Sequence, residues 1–303
     1  MNAYKRIGMA AVSAAALVAV AGCQGSETDG KAADKAPKLQ SRASAVEALT
    51  VAYEKTAEAK SARVEMTMSI PGAPGETKMS GVMGWDPTVM DMTMSGAAFS
   101  ETPGAPERIR MVWRDNVMYM DMGAEAPAEM DGKRWMKMDL AAIAKKSGAP
   151  GLEQKLTGGI DNMNQDPAKQ MAMLLESPSL KHLGSATVSG EKTQHYKGTL
   201  TVAEMLKTNE SAYDFLDEKD RKELLKNAET AGIEGYDTEV WVNEDGYPVK
   251  LNLGIDSPEG TIEMTQTYSD YGAKAQVEVP PASQTFDLMQ MLEELEQAGG
   301  LEG

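Results

Sequence analysis

Between residues 64 and 138 apolar side chains return at every second position. Val64, Met66, Met68 and Ile70 alternate with Arg63, Glu65, Thr67 and Ser69. After a turn of Pro71, Gly72, Ala73, Pro74 and Gly75 the rhythm resumes at Met79, Gly81, Met83 and Trp85. Period-two alternation punctuated by Pro and Gly predicts two antiparallel strands. The pattern recurs at Met90, Met92 and Met94, at Ile109, Met111 and Trp113, at Met118, Met120 and Met122, and at Met136 and Met138. Turns at Asp115-Asn116 and Asp131-Gly132 and a Gly/Pro-rich stretch over 103–106 separate these segments. Six strands in succession predict an antiparallel meander.

A period of 3.6 precedes and follows the strands. Ser44 as N-cap with Glu47, and Val46, Leu49, Tyr53 and Ala57 on one face, predict a first helix ending near Lys60. Asp139 caps a short helix carrying Leu140 and Ile143, and Asp166-Pro167 opens another carrying Met171, Leu174 and Leu175. The stretch 148–159 between them reads as loop. Strands follow over 183–188 and 194–202, and Thr201 with Glu204, then Asp217, open two further helices, the second stopping at Gly232. Strands over 237–242, 248–255 and 261–268 precede a last helix with Leu288, Met291, Leu292 and Leu295. Asn243 to Gly246 lacks the spacing and terminal Glu of a calcium loop and reads as a hairpin turn. With no repeat at solenoid or propeller period, one α+β domain is the simplest architecture.

Ahead of this domain lies a segment of another kind. Lys5 and Arg6 precede an apolar run over residues 7–20, of signal-peptide length and too short to span a bilayer comfortably. It ends in Val20, Ala21, Gly22 and Cys23, which resembles the bacterial lipobox, and Cys23 is the only cysteine of the chain. The expected organisation is a lipoprotein signal peptide over 1–22, a lipidated Cys23 with a flexible tether over 23–43, and the domain over 44–303. A thioether-linked diacylglycerol plus an N-acyl chain passes the two-chain threshold for stable anchoring, on the outer face of the cytoplasmic membrane. Residues 24–43 are mostly Gly, Ser, Ala, Lys, Asp and Thr, with a single Pro and one Leu and no apolar period, a coil about 25 Å from end to end.

Composition narrows the chemistry. With one Cys and two His among 303 residues, neither an internal disulfide nor a Cys- or three-His metal centre can form. The net charge is −16, and removal of the signal leaves 28 basic against 46 acidic side chains, a net of −18. That charge repels a nucleic-acid backbone, so no nucleic-acid partner is expected. No G-x-S-x-G and no phosphate loop is present. His182 and His195, on either side of a predicted hairpin, read as incidental surface or strand residues. The carboxylates fall at exposed strand positions and on helix faces, where solvation explains them. No catalytic residue, metal or cofactor is assigned.

The methionines are the unusual feature. Of 23, fourteen lie between Met66 and Met138, against three Phe in the whole chain. Most take alternate strand positions and so share one face of the sheet. Plain core is the ordinary reading of such a stripe. Yet strands usually fill a core face with Val, Ile and aromatics, whereas unbranched thioether side chains suit a surface that re-packs around a flexible apolar guest. Thioethers also bind Cu(I), but no His or Cys lies near these methionines in sequence.

The lipobox, the tether, the helix running into AKSARVEMTMS, the meander, the hairpin GEKTQHYKGTLTV, the pair TEVWVNEDGYPVKLNL and the late TYSDYGAKAQVEVPPASQTFDL resemble the LolA-like superfamily. Within it the likeness is to LppX/LprG-type actinobacterial lipoproteins. The resemblance covers most of residues 44–288 and lies in order and texture, since the family has no strict motif. It implies a large antiparallel sheet curved into a half-open barrel, with helices covering its concave face around an apolar cavity for acyl chains of lipids or lipoglycans. On this view Met66, Met68, Met83, Met92, Met111, Met120 and Met138 line the cavity, with Met171, Leu174 and Leu175 on a covering helix. The methionine content is the departure from the family, and it bears on cavity size and shape.

Two function classes follow. One is a membrane-anchored lipoprotein that binds or transfers lipid, making and breaking no bond. The other is an envelope sensor or interaction protein, like the anti-sigma regulators of a related branch, with the same fold, no transported lipid and an envelope protein partner. A hydrolase using a carboxylate pair is a third class, carried only by the abundance of acids.

Overall fold

The alternating segments hydrogen-bond side by side into one open sheet of twelve strands. The computed structural model describes residues 39–97, 107–123, 130–147, 167–208, 218–275 and 277–297. Helix α1 (Arg42–Ala59) leads into β1 (Ser61–Ser69), β2 (Glu76–Trp85), β3 (Thr88–Gly96), β4 (Arg108–Arg114), β5 (Val117–Asp121) and β6 (Trp135–Asp139). Helices α2 (Leu140–Ser147) and α3 (Pro167–Glu176) come next, then β7 (Lys181–Val188) and β8 (Glu191–Thr201). Helices α4 (Val202–Thr208) and α5 (Glu218–Thr230) precede β9 (Gly235–Asn243), β10 (Pro248–Ser257) and β11 (Gly260–Ser269). The short β12 (Thr285–Asp287) and helix α6 (Leu288–Gln297) follow.

Two meanders meet at the centre of the sheet. Strands β1 to β6 step outward one way, β7 to β11 occupy the other side, and β1 pairs antiparallel with β11. Strand β12 adds to β6 in parallel, and β12 and β7 are the two free edges. The result is an α+β half-open barrel. Its long-range β1–β11 junction could not be read from hairpin rhythm, which specifies only sequential neighbours.

Burial chooses the face. Ala62, Val64 and Met66 of β1 are buried while Arg63 and Glu65 between them are exposed. Across the sheet the same face carries Tyr196, Val240, Leu251 and Tyr268, and α1 and α3 cover it with Ala45, Leu49, Ala52, Met171 and Leu174. Gly198 of β8 lets α3 approach, since a Cβ there would meet Leu174 Cδ1 and Ser177 Oγ at 2.7 Å.

Helix α1 begins earlier than the expected Ser44 cap. The Ser41 hydroxyl accepts the Ser44 backbone N–H at 3.2 Å, so Ser41 is the N-cap and Ser44 lies in the first turn. The buried positions are Ala45, Leu49, Ala52 and Thr56, whereas Tyr53 and Ala57 of the expected face are exposed. Small side chains decide this: the alanines bring the helix close to the sheet, and Thr56 satisfies its hydroxyl on the Ala52 carbonyl at 2.7 Å. The helix ends where expected, with Lys60 left-handed at φ 63°.

Other local expectations are met. The Asp139 carboxylate accepts the Ala142 N–H at 2.9 Å. Thr201 and Glu204 form a reciprocal capping box, Glu204 N–H to Thr201 Oγ1 at 3.1 Å and Thr201 N–H to Glu204 Oε2 at 2.9 Å. Asn243 closes the β9–β10 hairpin, its side-chain oxygen accepting the Tyr247 N–H at 2.9 Å. Asp166, Asp217, the 103–106 stretch and the 148–159 loop lie outside the described residues, as do Val20, Ala21, Gly22, Cys23 and the tether as far as residue 38.

Candidate functional site

Strand register assembles the methionines into transverse rows. One row runs Val64, Gly81, Met92, Met111, Met120, Met136 from β1 to β6. Beside it Ala62, Met83, Met90, Trp113, Met118 and Met138 form a second. A third holds Met66, Met79, Met94 and Ile109, and Met68 faces Met264 on β11. Gly81 leaves a notch in the first row, where a Cβ would run into the Asp91 carbonyl. Directly opposed side chains in such pairs have Cβ atoms about 4.5–5.5 Å apart.

All seven strand methionines singled out from the sequence therefore lie on one face. They are not equally buried. Met66, Met83, Met92 and Met111 are core residues, with Met83 and Met92 only 1% exposed. Met68, Met120 and Met138 are half-buried, as are Met118 and Met136 beside them. Met171 and Leu174 of α3 are buried against the same face, and Leu175 packs on its margin. Trp85 closes the β2 end of the face, edge-on to Tyr271 at 6.5 Å. Its buried indole N–H finds no acceptor among the described residues.

The opposite face carries charge and hydroxyl groups. Arg110 makes a bidentate pair with Asp91 at 2.8 and 2.6 Å, and Arg134 another with Asp121 at 2.6 Å on both arms. Burial works against the Asp121 charge, yet the Arg134 guanidinium and the Gly123 N–H hold its carboxyl below the usual range. Beneath these pairs Val112, Tyr119, Trp135 and Val277 form a second small core. That core was not foreseen, because residues 277–281 carry no periodic pattern to mark them as a cover.

Further along, Lys197 bridges Asp237 at 3.1 Å and Glu239 at 3.2 Å. A hollow of about 290 Å³ lies among Lys197, Asp237, Glu239, Asn252 and Thr265. Thr199 donates to Asp237 at 2.6 Å and with Lys197 holds that carboxyl below its ordinary value. These acids are engaged as acceptors in a ladder of paired side chains.

The two histidines are built into the sheet. His182 is buried on the helix-covered face: its Nδ1 accepts the Gln40 N–H at 3.0 Å, and its Nε2 lies 2.8 Å from Gln194 Oε1. His195 on the other face stacks on Trp241 at 4.1 Å and bonds Glu239 at 2.8 Å. Burial pushes its imidazole below the ordinary histidine value against the pull of Glu239. Among the described residues no group of His, Cys, Asp and Glu could hold a metal ion. No described helix is long and apolar enough to cross a membrane.

No family model matches the chain. It is 30% identical over 261 residues to an uncharacterised 31.2 kDa protein in the rplA-rplJ intergenic region of Streptomyces griseus, covering 84% of this chain and 82% of that one. It is 26% identical over 252 residues to a candidate lipoprotein of Streptomyces coelicolor, covering 81% of this chain and 76% of that one. Among solved structures it is similar to the Mycobacterium tuberculosis lipoprotein LppX, with 13% identity and a TM-score of 0.43. That match covers 78% of this chain and 100% of the other.

Proposed function

We propose that this chain, which belongs to the same family as the Streptomyces griseus rplA-rplJ intergenic protein, is an exported lipoprotein that holds acyl chains against its methionine face. The observation that carries the reading is the uninterrupted methionine row from β3 to β6, which passes from buried core at Met92 to half-buried side chains at Met120 and Met136. Unbranched, polarizable side chains at the accessible end re-pack at little cost, so the face adapts to a flexible chain. Each CH₂ withdrawn from water contributes about 0.8 kcal/mol before the costs of ordering. Val20, Ala21, Gly22 and Cys23 supply the lipobox and its lipidation site, and the candidate lipoprotein of Streptomyces coelicolor supports that assignment. Anchoring through Cys23 sets the domain on the outer face of the cytoplasmic membrane, within reach of lipid.

The test is to express the full chain in cells that contain lipid, purify it, and run native mass spectrometry followed by solvent extraction. A stoichiometric lipid beyond the covalent anchor, lost in Met120→Glu while the protein stays folded, is the expected result. A mass explained by polypeptide and anchor alone, also after incubation with envelope lipids, overturns the carrier reading. The protein then stands as an envelope sensor or interaction protein acting through its charged outer face.

A further inference from the structure

Half-buried methionines occur on several strands, among them Met68, Met79, Met94 and Met264, and four of them form one contiguous group on β5 and β6. Met118 and Met120 of β5 stand directly opposite Met138 and Met136 of β6, so four thioethers form a two-by-two patch at one flank of the face. All four are half-buried, whereas Met83 and Met92, two or three strands inward, are 1% exposed. A thioether is oxidised where an oxidant reaches its sulfur, so this sheet carries a protected set and an accessible set of the same residue type.

We propose that Met118, Met120, Met136 and Met138 form an oxidant-responsive modification site whose conversion to sulfoxide weakens apolar binding on this face. The inference rests on the acyl-binding reading for its consequence, and on accessibility alone for its chemistry. In the step, a methionine sulfur attacks one oxygen of a peroxide. The O–O bond breaks as the S–O bond forms, and the other oxygen leaves as water after taking up the remaining proton. The sulfur gives up two electrons and the peroxide accepts them, so no further reactant is needed. Each event replaces an apolar, flexible tip with a polar, chiral one, and opposed pairs place two such dipoles side by side.

Most of the fold's support lies elsewhere, although Met118 packs on the margin of the main core. The β5–β6 ladder is made by backbone groups, and the core under α1 is filled by Met83, Met92, Val64 and Leu49. Sulfoxide is reduced again by thiol-dependent reductases, so the change is reversible.

The experiment treats the purified full-length protein with stepped hydrogen peroxide, quenches it, and maps sulfoxides by peptide mass spectrometry. Met118, Met120, Met136 and Met138 should oxidise at least about tenfold faster than Met83 and Met92. Near-ultraviolet circular dichroism should stay unchanged, and the Kd for a fluorescent long-chain fatty acid should rise at least about tenfold. Measured each against its own untreated Kd, the pairwise variants M118L/M138L and M120L/M136L should show a smaller peroxide response than the parent protein. Equal oxidation of Met83 and Met92, or an unaltered Kd in oxidised protein that binds when untreated, overturns the proposal. If untreated protein binds no probe, the acyl-binding reading falls and the binding consequence with it. The sulfoxide map then decides the site by itself.

Discussion

Met92 stands directly opposite Met111 across the β3–β4 ladder, and both side chains are buried. Met120, the next along that row, is half-buried. One row of identical residues thus passes from core to accessible surface within three strands, and the two ends must answer differently to the same substitution.

A charge placed at Met92 has no water and no counter-ion, so Met92→Glu should destabilise the fold by about 4 kcal/mol or more. At Met120 the carboxylate can turn outward, and the expected cost is about 1 kcal/mol, with loss of acyl binding. Urea denaturation beside the lipid-binding assay checks both. Equal destabilisation at the two positions would mean that the row is core throughout.

The face of α1 gives a second contrast. Leu49 is fully buried between the helix and the sheet, so Leu49→Ala should cost about 2–5 kcal/mol through lost transfer energy and the cavity left behind. Tyr53 is 38% exposed, and Tyr53→Ala should stay within about 0.5 kcal/mol. A loss at Tyr53 as large as that at Leu49 would favour the helix face expected from the sequence.

That helix shows where sequence reading stops. The pattern 46, 49, 53, 57 and the observed 45, 49, 52, 56 share only Leu49, because alanines count little on a hydrophobicity scale yet fit best where a helix crosses a sheet closely. Strand alternation was more legible: a side chain's face follows from its parity, and Met66, Met83, Met92, Met111, Met120 and Met138 all fall on one side as expected. Burial within that face was not legible, since it depends on what lies over each strand. The β1–β11 junction and the three-residue β12 were also missed, one because it joins distant segments and the other because it is too short for a period.

Asp121 and Arg134 give the fold an acid sensitivity with a definite sign. The Asp121 carboxyl titrates below its ordinary value in the folded protein, so the pair's contribution is fully present above the unfolded value of about 3.9. It is lost as pH falls through the lower folded value. Stability measured from pH 6 downward should therefore decline below about pH 4. Asp121→Asn should be less stable near neutrality and show a shallower acid decline. An identical acid slope in the variant would remove this pair from the account.

The entry of the chain into α1 is fastened by His182. Because Nδ1 accepts the Gln40 N–H, the imidazole proton sits on Nε2 and is donated to Gln194 Oε1, and the Tyr196 hydroxyl donates in turn to Gln40 Oε1 at 3.3 Å. Arg42 adds a bond to the Pro178 carbonyl at 3.1 Å. Together these tie Gln40 and Arg42, at the start of α1, to β7, β8 and the turn before β7. His182→Ala removes the acceptor for the Gln40 N–H and the donor to Gln194, at a cost of about 1–3 kcal/mol. Hydrogen exchange at the Gln40 amide should accelerate well beyond what global destabilisation explains, while the amide of Tyr268 in the central sheet follows global stability alone. Unchanged exchange at Gln40 would show that α1 packing, through Ala45 and Leu49, holds this end without the histidine. Accelerated exchange would make His182 the residue that holds the start of α1 on β7.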